Sequence, residues 1–515
     1  MHSETVEPQS FVQTLVKLLI MASITAIAGW FSHASGIAPT PLALVAVCTF
    51  VAVIGTTLFF WTHRVAAAFL GVAVLIATHA MTLHGMLRAT ELDIIFFLIG
   101  MMIIVGALKD LGFMTWVIQS IINLRTMTGT TFTLILCALS AVLSSVVDEV
   151  SSIVVIMALV FQVCDTLKIR ATPFVLIAVL STNIGSAATM LGNPVGIFIG
   201  NKAGFTFSQF LSGATPVAFV ALLATTCIVL LWFRKPIAEM TDKMEEHRAL
   251  HQGLGPLIRI PFRRGLCVLV ITVLIIAFHH QIECALGLLG AENKNAFLIV
   301  TPLIIAGLLM IYRPMRARYY VEHEVEWWTL LFFMLLFAVA GALEEQRVTH
   351  HLADKLSDLA KGGPVALIPF VLLTSALGSA FVDNIVFVAA FTPVLQRLVA
   401  HALDFSVLWW ALLFGACFGG NITVVGSTAN IVALGLLEKR SHAHISFWEW
   451  FKIGSVVGLV TGIIAWAMLL VMPIQQPHAI QRTTQPAAHT NHVPNAAHTL
   501  ILSPDAEPVS SPARH

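Results

Sequence analysis

Residues 140–158 read SAVLSSVVDEVSSIVVIMA and residues 375–393 read SALGSAFVDNIVFVAAFTP, so Asp148 and Asp383 occupy matching places inside two long apolar stretches. A carboxylate at the centre of a membrane helix costs about 2.5–3.5 kcal/mol on insertion scales, which makes an acid kept in each half of such a chain a functional candidate. The setting is a membrane one. The chain has 515 residues, 58% hydrophobic and 11% charged, against about 25% charged in soluble domains. Apolar runs of about 20 residues recur, the length of a spanning helix rather than of a barrel strand. A net charge of +1 without a basic block excludes nucleic acid as a partner. The seven cysteines form no CxxC pair, so neither a disulfide nor a zinc framework is expected. The opening MHSETVEPQ has no basic n-region, which predicts that the first apolar run is a retained helix.

Spans are expected near 12–32, 41–61, 66–83, 94–108, 173–200, 215–233, 265–283, 297–312, 328–343, 408–435 and 450–472. The stretches 131–165 and 364–400 are long enough to cross twice, yet each carries small polar residues and an acid at its middle, the pattern of a re-entrant hairpin. The connector 234–264 holds Arg234, Lys235, Lys243, Arg248, Arg259, Arg263 and Arg264, and the next loop of the same side holds Arg313, Arg316 and Arg318. The excess of positive charge on cytoplasmic loops then puts the N-terminus inside and the C-terminus outside, in the inner membrane expected for a bacterium. Beyond Pro473 a Pro, His, Thr and Ala tail, 473–515, is expected to be disordered. The domains read as N-terminal helices 1–65, repeat one 66–233, the cytoplasmic connector 234–264, repeat two 265–472 and the tail.

The separation of Asp148 from Asp383, 235 positions, also carries Glu91 onto Glu326, Phe97 onto Phe332, Gly106-Ala107-Leu108 onto Gly341-Ala342-Leu343 and Ser140-Ala141 onto Ser375-Ala376. After one deletion a shift of 234 carries Gly185, Thr189, Gly192 and Ile197 onto Gly419, Thr423, Gly426 and Ile431. Matches at Gly, Asp, Glu and Thr in one register mark a duplication, and the charge pattern starts one copy outside and the other inside. The fold class is therefore an all-α polytopic membrane protein: about 11 transmembrane helices plus two re-entrant hairpins, in two inverted repeats with discontinuous helices, the architecture of secondary transporters.

Each copy pairs its acidic hairpin with a glycine-broken helix, STNIGSAATMLGNPVGIFIG at 181–200 and GGNITVVGSTANIV at 419–432. Such breaks free carbonyls for a cation and helix N-terminal amides for an anion. Asn183, Ser186, Thr189, Asn193, Asn421, Thr423, Ser427, Thr428 and Asn430 add neutral donors and acceptors. Asp148 and Asp383 could bind a cation such as sodium, carry a proton, or bond to backbone amides at the hairpin tips. Glu149 stands where the other half has Asn384 and reads either as a proton carrier or as a side chain turned to a water-filled vestibule. The HRALH pair His247 and His251 lacks a zincin glutamate, so no zinc site is expected, and no GxxxxGK[ST] loop or ATPase subunit is called for. A channel should conduct without a coupling gradient, and no nucleophile–base set or metal triad points to an enzyme.

The segments VDNIVFVAAFTPV (382–394), LWWALLFGACFGGNITVVGSTANIVALGLLEK (408–439), ISFWEWFKIG (445–454) and FVLIAVLSTNIGSAATMLGNPVGIFIG (174–200) resemble the ion transporter superfamily, in its arsenite permease and P-protein branch with a citrate-transporter-like domain. The resemblance runs over about 66–472 and implies a scaffold, a transport domain moving as an elevator, a homodimer in the bilayer, and small-ion cargo without a cofactor. It assigns tip positions Asp148, Glu149, Ser151, Asp383 and Asn384, and break positions Thr189, Gly192, Asn193, Pro194, Thr423, Gly426, Ser427, Thr428 and Asn430. Three positions depart from the pattern: Glu149 replaces the usual asparagine, Asn193 a common acid, and Gly196 an expected asparagine. The expected function is secondary transport of a citrate- or dicarboxylate-like anion or arsenite coupled to protons or sodium, with a sodium/proton antiporter as the alternative. No arginine or lysine lies deep in either signature, which leaves the sign of the cargo open.

Overall fold

A computed structural model describes residues 11–471 except 123, 125–126, 250–260, 286–295, 361–362, 401–406 and 442–443. The first half runs α1 (Phe11–Ala34), α2 (Pro41–Phe59), α3 (Arg64–Ala77), α4 (Leu83–Ala89), α5 (Leu92–Asp110), α6 (Phe113–Ile122), α7 (Gly129–Val146), α8 (Glu149–Leu167), α9 (Thr172–Ser186), α10 (Pro194–Ala203) and α11 (Phe207–Trp232). The connector opens with α12 (Arg234–Ala249). The second half runs α13 (Arg263–Ala277), α14 (His279–Ala285), α15 (Ala296–Tyr312), α16 (Pro314–Tyr319), a π-helical turn Tyr320–Glu324, α17 (Trp327–Glu345), α18 (Val348–Ala360), α19 (Gly363–Phe381), α20 (Asn384–Ala400), α21 (Val407–Gly419), α22 (Thr428–Ser441) and α23 (Phe447–Val471). Among the described residues there is no strand, and eight helices are long and apolar enough to cross a membrane, with seven shorter apolar ones beside them.

Every expected span and both hairpins are present, each hairpin as a pair of arms, α7–α8 and α19–α20, turning at the acid. Several shorter elements were not expected, among them α4, α6, α12, α16 and α18. The connector begins with a helix whose apolar face, Ile237, Met240 and Met244, is buried, and Thr241 Oγ1 accepts the Gly129 amide at 2.9 Å, tying α12 to hairpin one. The short helices α6 and α18 lead into the two hairpins at equivalent places. Residues 250–260 of the connector and the tail from 473 lie outside the described residues.

The duplication governs packing as well as sequence. Helix α3 packs on α17 and α15 on α5, α7 on α9 and α19 on α21, α9 on α11 and α21 on α23, so each contact recurs with the repeats exchanged. Asp110, at the end of α5, holds Arg316 at 3.3 Å and Arg313 at 3.5 Å and accepts the Tyr320 hydroxyl at 2.9 Å. Burial, then the bond to Asp110, push the Tyr320 phenol up to about 12, so it stays a donor at any physiological pH. The equivalent residue Glu345, at the end of α17, accepts the Thr82 amide at 3.2 Å, and Gln346 donates to the Ala80 carbonyl at 2.8 Å. Each half thus fastens the end of its long helix to the other half.

Close approach of the hairpins to the broken helices depends on glycine. A Cβ at Gly185 would lie 2.2 Å from the Ala141 Cα, and one at Gly419 would lie 2.4 Å from the Ala376 Cα, again equivalent positions. Gly185→Val and Gly419→Val should therefore each force α7 from α9 or α19 from α21 and lower the thermal midpoint in detergent, by the roughly 1–3 kcal/mol that overpacking costs. Gly435→Ala, which meets open space, should leave that midpoint unchanged.

Candidate functional site

At the first tip Asp148 caps α8, its Oδ1 accepting the Ser151 amide at 2.7 Å, while Ser152 Oγ donates to the Asp148 carbonyl at 2.5 Å. At the second, Asp383 is buried and accepts the Thr428 hydroxyl at 2.7 Å and the Ile385 amide at 3.2 Å, an amide that Asn384 Oδ1 shares at 2.9 Å. Both acids thus follow the backbone-capping option left open above, and Asp383 adds a contact to the broken helix of its own repeat. Carboxylates at helix starts satisfy amides that have no partner inside the helix, a need that is acute where no water reaches.

The broken helices are held to the tips by equivalent bonds. Thr189 Oγ1 donates to the Ser145 carbonyl and Thr423 Oγ1 to the Ala380 carbonyl, while Ser144 Oγ donates to Thr182 at 2.9 Å and Ser379 Oγ to Ala416 at 2.7 Å. Helix α10 restarts at Pro194, whose missing N–H costs nothing in a first turn, with Asn193 Oδ1 capping Gly196 N at 2.7 Å. Gly192 and Gly426 let the breaks fold back, since a Cβ would meet the Ser186 carbonyl at 2.2 Å or the Gly420 and Ser379 carbonyls at 2.8 Å. The Trp450 indole of α23 braces the second break by donating to the Asn421 carbonyl at 3.0 Å.

Between the breaks lies a knot of amides. Asn183 Nδ2 donates to Asn421 Oδ1 at 2.9 Å and Asn430 Oδ1 at 2.8 Å, and Asn430 Nδ2 donates to the Gly420 and Thr423 carbonyls at 2.8 and 3.0 Å. Asn193 Nδ2 reaches Ser186 Oγ at 2.9 Å and Cys417 Sγ at 3.2 Å. The knot departs from the pseudo-symmetry: the equivalents of Asn183 and Asn430 are Cys417 and Gly196.

The two tips converge on one small cavity of about 40 Å³, lined by Asp148, Glu149, Asn193, Pro194, Asp383, Asn384 and Thr428 of the tips and breaks and by Phe97, Leu98, Met101, Met102, Thr329 and Phe333 of α5 and α17. A water takes about 10–15 Å³ of such space, so the cavity admits a dehydrated ion or a few waters. Both hairpin tips end at it. Glu149 is only 2% exposed; Ser427 Oγ stands 3.5 Å from its Oε1, and Oε2 has no partner among the described residues. It lines this small cavity and feels the charges of Asp383 and Asp148. Among the described residues no cluster of three or more His, Cys, Asp and Glu is arranged to hold a metal.

Of the expected site residues, those seven line the cavity. Ser151 donates its amide to the Asp148 cap, Ser427 touches Glu149, Thr189 and Thr423 pin the tips, Gly192 and Gly426 permit the folds, and Asn183, Asn421 and Asn430 form the knot. The amides expected to await an anion at the breaks are partly taken by the chain's own side chains, Gly196 N by Asn193 and Ala429 N by Ser427 Oγ at 3.2 Å. A residue outside the signatures was missed: Arg64, buried at the start of α3, whose Nη2 donates to Thr329 at 3.3 Å and whose charge acts on Asp383.

This pairing of hairpin and broken helix in each half coincides with a family profile, the CitMHS citrate transporter, which matches residues 50–415 and 295–502. The chain belongs to the CitMHS citrate transporter family. Among similar members, an uncharacterized transporter of Mycobacterium tuberculosis is 33% identical over 435 residues, 82% of this chain and 97% of that protein. The P protein of Homo sapiens is 27% identical over 489 residues, 79% of this chain and 57% of that protein. A solved YdaH transporter of Alcanivorax borkumensis aligns with a TM-score of 0.49 at 14% identity, over 84% of this chain and 98% of that one. Membership in a citrate transporter family makes the chain an integral membrane transporter and agrees with the superfamily resemblance read from the signatures.

The knot predicts a measurable cost. Asn183→Leu leaves the Asn421 and Asn430 side-chain oxygens without a donor, at about 1–3 kcal/mol for each buried group, and should lower the thermal midpoint in detergent. Ser151→Ala, which keeps the capping amide, should not.

Proposed function

We propose that the protein is a secondary active transporter that couples a small organic anion of the citrate class to a cation, preferably a proton, carried by Glu149 and Asp383 with Asp148 beside them. The observation that carries this reading is the small cavity where both tips meet, lined by three carboxylates. Three negative charges in low dielectric repel strongly, so the cluster calls for protons or a cation to neutralise it. The cavity is far too small for a tricarboxylate, so cargo must enter in a position with the tips drawn away from α5 and α17.

Alternating access by an elevator is favoured by how the pseudo-symmetry is broken. The cavity takes Phe97, Leu98, Met101 and Met102 from α5 but only Thr329 and Phe333 from α17, so the two equivalent helices contribute unequally to it. A vestibule of about 570 Å³ lies between α4, α10, α17 and α20, and another of about 1150 Å³ lies between α8 and α22, the equivalents of α20 and α10. By the charge pattern the first faces outside and the second faces the cytoplasm. Lys202 at the end of α10 pairs with Glu91 at the start of α5 at 2.5 Å. The equivalent residues, Leu436 and Glu326, should meet when the mobile body occupies its other position.

A sodium/proton antiporter is the second reading, supported by a cavity sized for an ion and rich in carboxylates. Proteoliposomes separate the two: citrate uptake driven by an imposed pH gradient supports the first, and proton movement on sodium addition without any organic anion supports the second. Under either, Glu149→Gln and Asp383→Asn should each abolish gradient-driven uptake, and wild-type rates in both variants would reject the role of the acids. In a cysteine-free background, Glu91→Cys with Lys202→Cys and Glu326→Cys with Leu436→Cys should each cross-link with a short reagent but exclude one another. Failure of the second pair to cross-link under any gradient would reject the elevator.

A further inference from the structure

Among the described residues Arg64 is the only buried lysine or arginine, at 5% exposure. Its guanidinium lies 3.8 Å from the centre of the Trp61 ring and 5.2 Å from that of Phe332. Its hydrogen bonding is sparse for a group with five N–H donors: Nη2 makes one long bond, 3.3 Å, to Thr329 Oγ1, and Nε has no partner among the described residues. It forms no ion pair with a described carboxylate, although Asp383 and Glu326 lie within its field. Thr329 is itself a wall of the carboxylate cavity, opposite Asp383 and Thr428, which puts the guanidinium one side chain behind that wall.

The fold does not require a charge there. In the second repeat the residues equivalent to Trp61 and Arg64 are Ala296 and Ile299, and α15 packs on α5 as α3 packs on α17. An arginine costs heavily inside a membrane protein and persists where it is used. Here aromatic faces hold it in place while most of its donors stay unspent.

We infer that Arg64 determines the sign of the cargo, its guanidinium fork receiving a carboxylate of a small organic acid between the scaffold and the second hairpin tip. Without Arg64 the charged groups at the cavity are all acids, and an anion would be repelled. A planar fork matches a carboxylate through two parallel bonds, which an ammonium does not. To engage the cargo the guanidinium has only to exchange its single long bond to Thr329. Since Arg64 sits on α3 and Asp383 on the hairpin, and the cavity seen here is too small for the cargo, recognition takes place with the tip drawn away from α5 and α17, where the space between the two residues widens. This inference rests on the organic-anion reading of the function.

The test is uptake of radiolabelled citrate and succinate into proteoliposomes by wild type, Arg64→Gln and Arg64→Lys, with sodium-induced proton movement followed in parallel by a dye. Arg64→Gln should raise KM by about tenfold or more, the scale of one lost charge-assisted hydrogen bond, with a much smaller change in maximal rate. Arg64→Lys, which keeps the charge and loses the fork, should fall between them. A wild-type KM in Arg64→Gln would overturn the inference and leave the transporter reading standing. If Arg64→Gln does not fold, a wild-type KM in Arg64→Lys overturns it equally. Proton movement on sodium addition by a wild type that takes up neither acid would overturn both.

Discussion

The structure depends on satisfying backbone polar groups where no water reaches. Two hairpins and two helix breaks bring irregular backbone to the centre of the protein, and each exposed carbonyl or amide there must find a partner. Thr189 and Thr423 supply it for the tip carbonyls of Ser145 and Ala380, Ser144 and Ser379 for Thr182 and Ala416, and Asp148 and Asp383 for the amides that start α8 and α20. Each hairpin is thereby fastened to the broken helix of its own repeat. That bonding lets a tip and a break act as one unit, and two such units enclose the cavity.

Upon this symmetric frame, whose paired acids Asp148 and Asp383 line the cavity, the chain places a few unsymmetric groups. Glu149 faces Asn384 across the pseudo-axis, Asn183 and Asn430 correspond to Cys417 and Gly196, and Arg64 corresponds to Ile299. The symmetric residues are explained by backbone satisfaction or close packing. The unsymmetric ones are buried polar groups that the frame can do without, as the other repeat demonstrates, and two of them, Glu149 and Arg64, keep unpaired atoms among the described residues.

Much of this was legible in the sequence because duplication provides an internal comparison. The shift of 235 located both tips, and Gly185, Gly192, Pro194, Gly419 and Gly426 marked breaks that the structure contains. Helices α6 and α18 escaped because they are short and lie between longer apolar runs, and α12 because its buried face is three residues in a charged helix. Arg64 escaped for a different reason. Its bonding partner Thr329 is 265 positions away, and a single arginine beside an apolar run reads as a flanking charge until the fold buries it.

The central claim is that the two repeats exchange environments around one acidic cavity. Spin labels at Phe96 on α5 and Val154 on α8, both exposed on the surface of the helices, measure this by pulsed electron resonance in liposomes. The account predicts two distances, with populations that shift when the pH gradient is reversed, the shorter one arising when α8 lies against α5 as α20 lies against α17 here. One unchanging distance under both gradients would contradict it.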